Sequence, residues 1–253
     1  MYDSISSDYD RFVNWQNRLS LELPFIIEHL QKINARSVLD AATGTGMHAI
    51  ALAQLGYQAA GADLSNGMIQ KARLNASSAG VQLRFEVAGF GSLAHTFGQQ
   101  SFNALLCLGN SLPHLLTIQE LESTLQDFAA TLKPGGFLLI QNRNFDAVMS
   151  HHERWMEPQS HSDANTEWIF QRFYDFDPDG LLTFHMVTLK SVDQGKWTQT
   201  VASSHLRPLL KDELISALLQ SGFESPVAYG NLSGDSFDPE TSGNLVISAI
   251  WSG

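Results

Sequence analysis

Residues 37–64 read SVLDAATGTGMHAIALAQLGYQAAGADL. Two apolar runs, 37–43 and 57–64, flank a stretch in which Met47, Ile50, Ala51 and Leu55 recur at i, i+3, i+4 and i+8. The flanks have the length of buried strands, and the middle has the period of a helix. A strand, a crossover helix and a second strand make a βαβ unit with parallel strands.

The same alternation continues on the C-terminal side. SNGMIQKARLNASSAG reads as a helix opened by Ser65 as N-cap and closed by Gly80. VQLRFEVAG, SFNALLCLGN and GGFLLIQNRN read as three further strands, and TIQELESTLQDFAAT as the helix between the last two. Strands alternating with helices predict a parallel sheet covered on both faces. After Asn144 the rhythm changes. Residues 146–163 are polar and His-rich and read as loop, whereas EWIFQRFYDF, LLTFHMVTLKSV and KWTQTVASSHL read as antiparallel strands joined by turns at 177–180 and 193–195. KDELISALLQSGF returns as a helix with Gly222 at its end, and NLVISAIW is expected to complete a seven-stranded sheet. The resulting organisation is an N-terminal helical segment (1–34), a core (35–145), an antiparallel β insertion (146–206) that walls a pocket or makes a subunit contact, and a C-terminal return to the core sheet (207–253). A homo-oligomer is compatible with this layout.

The composition narrows the partners. The 253 residues carry 26 acids against 15 bases, a net charge of −11, which repels phosphate backbones and anionic lipid. No basic cluster offsets this, so neither a nucleic-acid nor a membrane partner is expected. The N-terminus MYDSISSDYDRF is acidic where a signal peptide is basic then apolar, and no apolar run reaches the roughly 20 residues of a membrane span. Cys107 is the single cysteine, so the expected compartment is the reducing cytoplasm.

Gly44, Gly46 and Ala49 fit G-x-G-x-x-G/A, and Asp63 stands near the distance of a ribose-binding acid. Asp40, four residues before the first glycine, opposes the pyrophosphate that such a loop otherwise cradles. A carboxylate there suits a ligand carrying a sulfonium or ammonium, with the glycines letting backbone approach an uncharged ribose. A purely structural glycine turn is the competing reading. His151, His152 and Glu153 adjoin one another without the spacing of a metal site. Trp155, Trp168 and Trp197 read as the insertion's own core or a subunit contact, and Cys107, within a strand, as buried and inert.

VLDAATGTG, GADLSNGM, FNALLCLGNSLPHL and LKPGGFLLI, in this order, resemble four motifs of the class I S-adenosylmethionine-dependent methyltransferases. CLGNS, QNRNFD and HMVTL resemble the glycine and sarcosine N-methyltransferases within that class. The resemblance implies a Rossmann-like α/β fold, S-adenosylmethionine as cofactor and a small-molecule acceptor. In it Asp63 takes the ribose hydroxyls, Leu64 and Met68 pack the adenine, and Gly89 with Phe90 stands where relatives read the adenine amino group. Arg18 pairs the methionyl carboxylate, while Asp40, Ala42, Gly44, Gly46, Leu108 and His114 complete the cofactor site. Asn110, Arg143 and Tyr9 are the catalytic candidates: Asn110 would hold the acceptor amine and Arg143 a substrate carboxylate. The stretch bearing Tyr2, Tyr9 and Trp15 would close over the cofactor. Plainer readings stand beside these roles: a turn asparagine for Asn110, a structural ion pair for Arg143, a solvated arginine for Arg18, a helix cap for His114. The chain departs from the glycine-methylating pattern at SSHLRPLL, which lacks tyrosines, and at Phe145, which stands where a tyrosine follows the Arg-Asn pair. The rival functions are methylation of another small metabolite at oxygen or carbon, an NAD-dependent oxidoreductase, and a cofactor-binding protein without catalysis.

Overall fold

The computed structural model describes residues 9–253. A single-turn helix α1 (Tyr9–Phe12) and the 18-residue helix α2 (Trp15–Lys32) precede the sheet. The βαβ unit follows as β1 (Ser37–Asp40), α3 (Met47–Gln54) and β2 (Gln58–Asp63), continued by α4 (Asn66–Ser78), β3 (Arg84–Val87), α5 (Leu93–Phe97) and β4 (Phe102–Cys107). Then come α6 (Ile118–Thr131), β5 (Leu132–Arg143) and α7 (Phe145–His151). Strands β6 (Gln159–Asp163), β7 (Thr166–Phe176), β8 (Leu182–Val192) and β9 (Thr198–Leu206) precede α8 (Lys211–Gln220), β10 (Phe223–Tyr229) and β11 (Asn244–Trp251).

The core sheet has the order β10-β11-β5-β4-β1-β2-β3. Strands β1 to β5 pair in parallel, whereas β11 runs antiparallel to both β5 and β10, so the sheet is mixed rather than wholly parallel. The connection over 230–243 contains no helix, and antiparallel neighbours need no crossover helix. The chain order reverses between β1 and β4, the position at which open α/β sheets bind ligands beyond their strand ends.

Local chemistry accounts for the elements. Ser65 accepts from the Met68 N–H at 3.1 Å, the cap expected for α4. Thr117 and Glu120 form a reciprocal capping box on α6. Helix α3 buries Ile50 and Ala51 of the expected stripe together with Ala49 and Leu52, because its short span is packed on both the sheet and α4; Leu55, just past the helix end, is 55% exposed.

Residues 146–163, expected as loop, contain α7 and edge strand β6. Asn144 caps α7 through the Ala147 N–H, while its amide donates to the Ser242 and Pro239 carbonyls. Strand β6 takes its order from pairing with β7, not from its own polar sequence. The short helix α5 likewise depends on a distant partner, the Asp127 carboxylate, which accepts from the Leu93 and Ala94 N–H groups. The β6-β7-β8-β9 sheet packs Trp168, Phe170 and Met186 against Met68 of α4. Trp155 and Trp197 are 58% and 46% exposed, so neither belongs to the insertion's core. No described helix is long and apolar enough to cross a membrane.

Candidate active site

A cavity of about 460 Å³ opens over the ends of β1, β2 and β4. Eleven of the twelve cofactor-site candidates line it: Arg18, Asp40, Ala42, Gly44, Asp63, Leu64, Met68, Gly89, Phe90, Leu108 and His114. Gly46 does not. Its φ is +83° as it caps α3, and a Cβ there would lie 2.8 Å from the Phe85 ring and 2.9 Å from Ala72. The constraint on Gly46 is therefore helix packing. Gly44, with φ +54°, has open space where a Cβ would stand.

The acids at the strand ends are held by short links. Asp63 accepts from the Gly44 N–H and the Ser65 N–H, both at 2.9 Å, which orients its carboxylate. Each oxygen has further lone pairs for a ligand hydroxyl. Asp40 is buried and accepts from Thr43 Oγ1 at 2.8 Å through one oxygen, while its other oxygen is buried without a partner. Burial pushes its pKa above the usual carboxylate range, against the pull of His48 and the Thr43 hydrogen bond. A cation brought beside it would favour the ionised form.

Leu64 is 79% exposed yet lies at the cavity mouth, against Gly89. Phe90 stands edge-on to Phe128 at 5.5 Å. The N-terminal segment is tied over the glycine loop by Asp10, which accepts from Thr45 Oγ1, Trp15 Nε1 and Asn75 Nδ2. That tether holds Tyr9 and Trp15 on the cavity wall. Tyr2 lies outside the described residues. Arg18 donates through Nε to Glu22, and Glu22 also meets His48 Nε2 at 2.7 Å. Burial opposes the Glu22 charge, but His48 and Arg18 outweigh it and lower the pKa.

A second cavity, about 260 Å³, adjoins the first. Tyr9, Arg18, Gly109 and His114 line both. All three catalytic candidates, Tyr9, Asn110 and Arg143, face this second space. Asn110, with φ +67°, is a turn residue whose amide oxygen accepts the Arg143 N–H at 2.9 Å. Gln141 secures the same loop, accepting from Gly109 N–H and donating to Asn244. Arg143 is half-buried and bonds Glu153 at 2.6 Å, while its Nε is buried without a partner. Thus the structural ion pair exists and the arginine also faces the cavity. Burial lowers the His114 pKa to about 4, so this imidazole is neutral at physiological pH. Burial raises the phenols of Tyr9 and Tyr174.

The insertion was expected to wall a pocket or make a subunit contact, but the residues it contributes to this cavity were not singled out from the sequence: Arg172, Tyr174, Phe184, Met186 and Leu206. The signal was present. Along β7, Trp168, Phe170, Arg172 and Tyr174 alternate onto one face, and three of the four are fully covered aromatics. An arginine in that series marks a charge turned inward. His151 meets Glu240, and no described cluster of His, Cys, Asp and Glu is able to hold a metal ion.

Comparison with known proteins agrees with this geometry. Residues 38–136 match the model of a methyltransferase domain. A glycine/sarcosine N-methyltransferase from Aphanothece halophytica is 31% identical over 223 residues, covering 88% of this chain and 79% of that protein. The chain belongs to the class I S-adenosylmethionine-dependent methyltransferases. Within them it is similar to the glycine/sarcosine N-methyltransferase group. A second member, from Parasynechococcus marenigrum, is 35% identical over 147 residues, 58% of this chain and 52% of that protein. A crystal structure of an S-adenosylmethionine-dependent methyltransferase from Clostridium acetobutylicum shares the fold, with TM-score 0.77 at 16% identity, covering 100% of this chain and 99% of that one.

Proposed function

We propose that this enzyme methylates the amine of a glycine-like amino acid. The observation that carries the reading is the pair of joined cavities, one acidic and glycine-lined, the other bearing Asn110 and Arg143. The names of the sequence relatives point to the same acceptor class.

S-adenosylmethionine supplies, when bound, an electrophilic methyl group on a sulfonium centre. The first cavity fits it: a buried carboxylate oxygen of Asp40 lacks a partner, and Gly44 leaves its backbone accessible. Asp63 would take the ribose hydroxyls, Asp40 would oppose the ligand's positive charge, and Arg18, whose Nε is engaged by Glu22, would meet the methionyl carboxylate with its other guanidinium nitrogens. Leu64, Met68 and Phe90 would hold the adenine by apolar contact, and backbone groups near Gly89 would meet its polar atoms.

In the second cavity Arg143 reads the acceptor's carboxylate with its planar fork. Asn110 accepts from the amine through the lone pair its bond to Arg143 leaves free. The nucleophile must arrive unprotonated, and the guanidinium charge around it disfavours the ammonium form. No general base is needed: Glu22 is engaged by Arg18 and His48. Tyr9, held by the Asp10 tether, covers the junction and keeps water out. Orientation of the two reactants alone accounts for roughly 7 to 11 kcal/mol of the barrier.

The test is an acceptor screen read by S-adenosylhomocysteine release, comparing glycine with methylamine in wild type and Arg143 variants. Arg143→Ala lowers kcat/KM for glycine by about 10²-fold or more, with cofactor affinity nearly intact, and Arg143→Lys stays nearer to alanine. Equal turnover of glycine and methylamine by the wild type overturns the reading.

A further inference from the structure

The charged groups around the second cavity do not cancel. Arg18 is paired with Glu22 and Arg143 with Glu153. His114 is neutral, and the two phenols stay protonated. Arg172 is the remainder. It lies on β7 opposite Met186, its guanidinium carbon 4.7 Å from the centre of the Phe12 ring. Its Nε is buried without a hydrogen-bond partner, and no carboxylate among the described residues pairs with it. Burial pulls its pKa down, and Arg143 adds to that pull. A half-buried guanidinium without an anion is costly, since its desolvation is not offset by a partner.

We propose that Arg172 is a specificity-determining residue which, with Arg143, clamps the acceptor's carboxylate between two guanidinium groups. The proposal rests on the amino-acid reading above and extends it. One uncompensated positive charge matches one carboxylate, so the enzyme favours monocarboxylate amines over dicarboxylic ones. Glu153 engages one terminal nitrogen of Arg143 and leaves its buried Nε without a partner. Arg172 reaches the same space from the insertion sheet, so the insertion contributes acceptor recognition as well as a wall. Phe12 beneath its guanidinium supplies a cation–π contact that fixes the plane of the fork.

The experiment uses the full chain with saturating S-adenosylmethionine, measuring kinetics with glycine, aspartate and methylamine, and inhibition by acetate as a carboxylate probe. Titration with S-adenosylhomocysteine reports whether each variant is folded. Arg172→Gln is expected to raise KM for glycine by about 10- to 100-fold with little change in kcat, and to weaken acetate inhibition in parallel. Arg172→Lys keeps the charge without the fork and falls between. If Arg172→Gln does not bind the cofactor, the lysine variant decides the matter by the same two readouts. Unchanged KM and acetate inhibition in a folded variant overturn the clamp while leaving the role of Arg143 standing. Aspartate used as well as glycine by wild type overturns the monocarboxylate preference. Acetate binding that depends on Arg172 in an enzyme without activity on glycine supports the clamp and removes the glycine-like acceptor.

Discussion

The amide oxygen of Asn110 accepts the backbone N–H of Arg143 at 2.9 Å, joining the loop after β4 to the end of β5 where the second cavity begins. Asn110 does this from a left-handed conformation, φ +67°. Asn110→Ala should lose the hydrogen bond and incur the left-handed penalty, destabilising the fold by about 2 kcal/mol, whereas Asn110→Gly should lose less. Both should lower kcat/KM by about tenfold or more. Thermal melts separate backbone strain from the shared kinetic loss, and a glycine variant with wild-type kinetics would reduce Asn110 to a turn residue.

Asp63 links the glycine loop to α4 through two N–H bonds of 2.9 Å. Asp63→Ala is expected to weaken S-adenosylhomocysteine binding about tenfold or more, because each charged hydrogen bond contributes roughly 1.5 to 3 kcal/mol. Asp63→Asn retains one acceptor oxygen and should fall between. Calorimetric titration measures both, and unchanged affinity removes the residue from the cofactor site.

Gly46 tests the distinction between a ligand glycine and a packing glycine. Gly46→Ala forces a methyl group onto Phe85 and Ala72 from a φ of +83°. The expected loss is about 2 to 5 kcal/mol, left-handed strain and overpacking together. A normal melting temperature with poor cofactor binding would return Gly46 to the ligand surface.

His114 predicts an acid-side weakness. Its folded pKa, about 4, lies below the usual 6.5, so between these values the unfolded chain binds the proton and the folded chain does not. Stability is therefore lost as pH falls from about 6.5 toward 4, with a slope of up to about 1.4 kcal/mol per pH unit. Melts of His114→Asn across that window should show a shallower decline than wild type. Equal slopes would mean that the imidazole titrates normally.

The elements with periodic apolar patterns were legible in advance. Helix α4 is capped by Ser65, and strands β7 to β9 occupy the runs that alternation marked. Two of the elements missed take their order from elsewhere: α5 depends on Asp127, and β6 on pairing with β7. The candidates adjoining the core strands, which the motif resemblance singled out, line the first cavity because strand ends and glycine turns fix their direction. Arg172 was not legible because it sits within an alternating aromatic series whose pattern encodes packing, while the cavity it joins is formed only by tertiary contact.

The sequence by itself determined the βαβ core and the acids at its strand ends, since these follow from local period and from neighbours in the chain, while its resemblance to methyltransferase motifs implied the cofactor. Only the tertiary structure decided which charges remain uncompensated. Arg143 and Glu153 stand ten residues apart, but Arg172 joins their cavity through a separate sheet, and Glu22 reaches His48 from a helix 26 positions away. Charge compensation depends on distances through space and on desolvation, and neither is encoded in the spacing of residues along the chain.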